Sequence, residues 1–63
     1  MNEITLEIQA ALVEKVRSNA SVKNIWKKSV ATLYRAYESE EISRGDYDEE
    51  YANLLYRCSL MVN

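Results

Sequence analysis

Three stretches of the chain carry apolar residues at helical spacing. The last is the most regular. Tyr47, Tyr51, Leu54, Leu55, Cys58, Met61 and Val62 line one face of an α-helix. Ser43 stands three residues before Asp46. Its oxygen can accept a first-turn amide hydrogen bond while the acid reaches back to the serine amide. Asp46, Asp48, Glu49 and Glu50 add negative charge that the helix dipole favours. The pattern predicts a helix over about 44–61. In the middle stretch Val22, Trp26, Ser29, Val30, Leu33 and Tyr37 share a face, widened by Ile25 and Tyr34, which predicts a helix over about 21–39. The short connection Ser39-Glu40-Glu41-Ile42-Ser43 makes these two an antiparallel hairpin, with Ile42 placed to pack on Tyr47 as a hydrophobic staple.

The first stretch is less clean. Ile4, Ile8, Ala11, Leu12 and Val16 form a helical stripe over about 3–17. Ile4, Leu6 and Ile8 also alternate as a strand would, but the helix-forming run after them outweighs three residues. Across residues 18–21 the stripes of the first two helices stay in phase, so one continuous helix is an open alternative. A break is favoured, because Arg17-Ser18-Asn19-Ala20-Ser21 is rich in capping residues and has no large apolar side chain. The fold expected is all-α: one domain over 1–63 with three helices, the last two forming an antiparallel helical hairpin. The residues expected in the hairpin core are Trp26, Val30, Leu33, Tyr37, Tyr47, Tyr51, Leu54, Leu55 and Cys58.

Composition sharpens this picture. Sixty-three residues with one glycine and no proline suit helices better than tight hairpins of strands. So small a chain needs a staple beyond its own core. Cys58 is the only cysteine and histidine is absent, which removes an internal disulfide and disfavours a zinc site. Association remains, and a dimeric helical bundle is expected. Net charge is −2, but residues 1–35 sum to +3 and residues 36–63 to −5. That asymmetry can orient two copies antiparallel or steer a charged partner. The opening residues show no signal-peptide pattern and no apolar run reaches the ~20 residues of a membrane span. With a lone cysteine, a cytoplasmic protein without membrane contact is expected.

The run Leu33-Tyr34-Arg35-Ala36-Tyr37, followed by Ile42-Ser43, Asp46-Tyr47 and Leu54-Leu55, resembles the short C-terminal (SHOCT) type of helical hairpin over about 33–55. Glu40 stands where that family usually has a turn glycine, and Tyr51 where it usually has lysine. The resemblance implies hairpin geometry and self-association or docking, not chemistry. In length and layout the chain is also similar to the small accessory proteins that lambdoid temperate phages encode between their exonuclease and excisionase genes. That likeness implies action on a host regulator.

No catalytic, cofactor-binding or metal-ligating residue is expected. Without histidine the usual base near neutral pH is missing. Cys58 falls on the apolar stripe with nothing to activate it. The acids of 38–50 lack calcium-loop spacing and read as a solvated helix start. Arg44-Gly45-Asp46 spells an adhesion tripeptide, yet it lies inside the capping turn.

The aromatic set points instead to a surface. Five tyrosines and one tryptophan, with no phenylalanine, suit positions dry on one side and wet on the other. Ala52, Tyr56 and Leu60 oppose the main stripe of the last helix, and Leu6 and Val13 lie off the stripe of the first. The interface residues expected are Leu6, Val13, Trp26, Tyr34, Tyr56 and Leu60. The function expected is a non-enzymatic helical protein–protein interaction module, a homodimeric small regulator or inhibitor of a cellular or host factor. The alternative is a nucleic-acid-associated regulator that uses Lys23, Lys27, Lys28 and Arg35 of the middle helix.

Overall fold

A computed structural model describes residues 6–62 of the chain. It contains three helices, α1 (Leu6–Arg17), α2 (Ala20–Glu38) and α3 (Arg44–Leu60), in that order. The expected residues 3–5 of the first helix lie outside the described part, Ile4 among them; Leu6 and Ile8 of the strand-like alternation are helical. α2 starts and ends one residue before the expected 21–39, and α3 starts at the expected 44 and ends one residue before 61. Among the described residues there is no strand.

The break between α1 and α2 is real. The Asn19 backbone is extended (φ −120°, ψ 112°), and its side chain accepts from the Val22 amide at 3.1 Å. Ser18 donates its hydroxyl to the Lys15 carbonyl at 2.6 Å. One helix thus receives its last-turn partner and the next its N-cap within two residues.

The second turn is built differently. After the C-cap Ser39, Glu40 adopts φ 65°. The Glu40 amide donates to the Tyr37 carbonyl at 3.1 Å and the Glu41 amide to the Ala36 carbonyl at 2.9 Å. This is a Schellman ending with glutamate in the left-handed position glycine normally takes. The position where the SHOCT-like pattern usually has glycine is therefore the one that needs positive φ. Ser43 then caps α3, accepting from the Asp46 amide at 3.1 Å. Among the described residues the reciprocal bond from the Ser43 amide to the Asp46 carboxylate is not formed, so the capping box is one-sided.

The buried apolar core is small: Val16, Val22, Leu55 and Cys58. It lies where the end of α1, the start of α2 and the end of α3 meet. Leu12, Val13, Trp26, Tyr51, Leu54 and Val62 pack around it half-buried. The expected hairpin core was centred further along α2 and α3. Val30, Leu33, Tyr37 and Tyr47 at that end are only half-buried. Met61 was placed on the buried stripe, but it is the C-cap of α3 and 51% exposed. Ser59 is buried as well, with its hydroxyl satisfied by the Tyr56 carbonyl at 2.6 Å. An apolar-pattern reading passes over such a residue.

α3 is the middle helix. It packs against both others, and α1 and α2 touch each other least. The Cα atoms span 35 × 27 × 14 Å, a flattened shape. Because α1 packs mainly on α3, its buried face is turned relative to the expected stripe. Val13, expected to face a partner, packs onto the core. Ala11 and Ile8, expected on the inner stripe, are exposed.

Candidate interaction surface

The aromatic side chains assemble into one row along the hairpin. Trp26 meets Tyr51 edge-on at 6.4 Å between ring centres. Tyr51 lies 6.3 Å from Tyr47. Tyr47 contacts Tyr37 at 5.2 Å and Tyr34 at 6.2 Å. These are separations at which aromatic pairs attract through their quadrupoles. Helical spacing explains the row: Tyr47 and Tyr51 are one turn apart on α3, and Trp26, Tyr34 and Tyr37 lie on the side of α2 that flanks them. Among the described residues Tyr56 is the aromatic outside this row, on the back of α3.

Tyr47 and Tyr51 form a ridge with a shallow groove on each side. Between α3 and α2 the groove is apolar, about 420 Å³, with walls that include Trp26, Val30, Ala31 and Tyr34. Between α3 and α1 it is about 460 Å³ and is lined by Leu6, Gln9 and Asp48 as well as the two tyrosines. The Trp26 indole N–H is buried and has no hydrogen-bond partner. An orphan donor of this kind costs about 1–3 kcal/mol.

The six expected interface residues divide. Leu6 (84%), Leu60 (62%), Tyr56 (51%) and Tyr34 (47%) are exposed. Trp26 and Val13 are half-buried against the core, and Trp26 also lines the apolar groove. Leu6 and Tyr34 border the two grooves beside the tyrosine ridge, whereas Tyr56 and Leu60 lie one turn apart on the opposite side of α3. The residues that pattern reading missed as surface are Ile25, Ile8 and Met61, each about half exposed. Their apolar character placed them inside, and only the packing of the helices decides otherwise.

The basic residues do not gather into one strip. Lys27, Lys28 and Arg35 are exposed and Lys23 is half-buried. At ~100° per residue, Lys23 and Lys27 lie on one side of α2 and Lys28 and Arg35 about a quarter-turn further round. A nucleic-acid backbone following one side would meet half of the set.

The electrostatics of the surface are local. The Glu38 carboxylate beside Tyr34 raises the tyrosine pKa, chiefly by charge repulsion, with smaller contributions from desolvation and their hydrogen bond. The Arg44 pKa is raised, chiefly by the neighbouring Tyr37 and then by Asp48, whose Oδ1 is 3.3 Å from its Nε. Within the Arg44-Gly45-Asp46 tripeptide the Arg44 side chain pairs with Asp48 and the Asp46 backbone amide donates to the Ser43 cap, so both residues take part in the start of α3. Burial pushes the Cys58 thiol pKa up. A hollow of about 670 Å³ at this turn is lined by Glu38, Glu40, Glu41 and Asp46 together with Arg44. Among the described residues no group of histidine, cysteine or acids is arranged to hold a metal ion.

No family model, no curated protein and no solved structure matches the chain. Among the described residues no helix is long and apolar enough to cross a membrane.

Proposed function

We propose that this chain is a non-enzymatic helical interaction module, a homodimeric small regulator that acts in the cytoplasm by occupying the surface of a protein partner. The observation that carries the reading is the tyrosine ridge with its apolar groove. Five aromatic rings are in mutual contact there, and Tyr34 remains 47% exposed. Such rings offer large contact area at low entropic cost and retain a hydroxyl for the wet rim, which is why they concentrate at binding surfaces. The small buried core supports the same reading, because the four buried apolar side chains among the described residues leave much of the stabilisation of a free chain to association. Likeness to SHOCT-type hairpins and to phage accessory proteins agrees with docking and with a host factor as the target.

The test is retention of a protein partner by the immobilised full chain from extracts of its own cell. Tyr34→Ala and Tyr56→Ala, both at exposed positions, probe the two sides of the hairpin. The expected result is one protein retained by the wild type and lost with Tyr34→Ala while Tyr56→Ala keeps it. Equal retention by both variants would remove the aromatic ridge as the binding surface.

A further inference from the structure

The outer side of α2 carries a row that is complementary to itself. Lys27, Ala31, Tyr34 and Glu38 follow at steps of four, three and four, the spacing that keeps residues on one side of a helix. All four are exposed. The row begins with a positive group and ends with a negative one. Between them stand a small residue and a large aromatic one. Turned end for end about a point between Thr32 and Leu33, the row meets its own complement: 27 falls opposite 38, and 31 opposite 34.

We infer that α2 packs antiparallel against α2 of a second copy along this row, with Lys27 against Glu38 of the partner subunit and Ala31 against Tyr34 of the partner subunit. The inference rests on the reading above that the chain binds protein through this side of the hairpin. A two-fold axis makes each contact twice, as an isologous interface requires. Ala31 lines the apolar groove beside Trp26 and Val30, so its missing bulk leaves room there for the incoming ring. Lys27 has no ion pair among the described residues and is available for one.

The wider charge distribution agrees. Lys23 and Lys27 lie toward the α1–α2 turn, and Glu38, Glu40 and Glu41 lie at the other end of α2. Antiparallel packing sets the basic end of each copy on the acidic end of the other, and parallel packing would oppose like charges.

The experiment is charge exchange, read by sedimentation of the full chain at low and high salt. Lys27→Glu and Glu38→Lys each replace two attractions by two repulsions and should weaken the dimer about tenfold or more. The double variant and a one-to-one mixture of the single variants each restore both pairs and should dimerise like the wild type. Rescue by the double variant separates the seam from the loss of the Glu38–Tyr34 contact within one chain, since that contact is lost in Glu38→Lys and the double variant alike. Equal dimerisation by all variants would overturn the seam and leave a dimer built elsewhere. A monomer throughout the micromolar range that still retains a protein partner would overturn the seam and leave the binding reading standing. A monomer that retains nothing would remove both.

Discussion

Leu54 and Leu55 are neighbours in sequence with different fates. Leu55 is fully buried between the three helices, and Leu54 is half-buried at the edge of the hairpin. Leu55→Ala should therefore cost about 2–5 kcal/mol and Leu54→Ala clearly less, measured by denaturant unfolding. Equal costs would mean that the core extends further along the hairpin. Cys58 gives a second residue-scale test. Burial raises its thiol pKa, so the folded state holds the proton above the pH at which the unfolded thiol releases it. The unfolded state then binds fewer protons, and stability falls as pH rises through the ordinary thiol range of about 8.5 and beyond. Cys58→Ala should flatten that part of the alkaline limb, and alkylation of the native thiol should be far slower than in denaturant. Both residues were legible as apolar stripe positions. Their depth was not, because a stripe gives direction and not how closely a neighbour approaches.

At the scale of elements, the caps were the readable part. Ser43 accepts the expected amide bond, and in the cap-rich run before α2 it is Asn19 that accepts one, so the chain turns where the two stand. The ending of α2 was less legible, since glutamate gives no local signal for a left-handed backbone. Glu40 at φ 65° carries a steric penalty that glycine avoids. Glu40→Gly should stabilise the protein by about 0.5–1 kcal/mol, after the greater freedom of glycine in the unfolded chain is offset. A loss of stability on thermal melting would show that the Glu40 side chain contributes more than its backbone costs. The inner face of α1 was legible only in part: Leu12 and Val16 of the expected stripe pack inward, whereas Ile8 and Ala11 do not. Periodicity alone placed that stripe, and periodicity does not say which helix α1 will meet. Once the chain folds back at Asn19, α1 meets α3 instead, and Val13 turns inward while Ala11 turns out.

For the whole molecule, a flattened set of helices leaves large apolar side chains on its surface, among them Leu6, Leu60 and Tyr56. Association that covers such groups stabilises the folded state by mass action. The unfolding temperature should rise with protein concentration, and the rise should shrink at high salt if the charged row of α2 takes part. A sharp transition at the same temperature across that range would mean that the folded monomer stands alone.

The sequence by itself determined the three helices, their turns and the apolar character of the inner faces. These follow from periodicity and capping, which are local properties of neighbouring residues. Only the tertiary structure decided where the core lies, which face of α1 is covered and that five aromatic rings meet in one row. Those outcomes depend on how closely helices distant in sequence approach each other. That approach is set by which side chains interlock, and no local pattern records it.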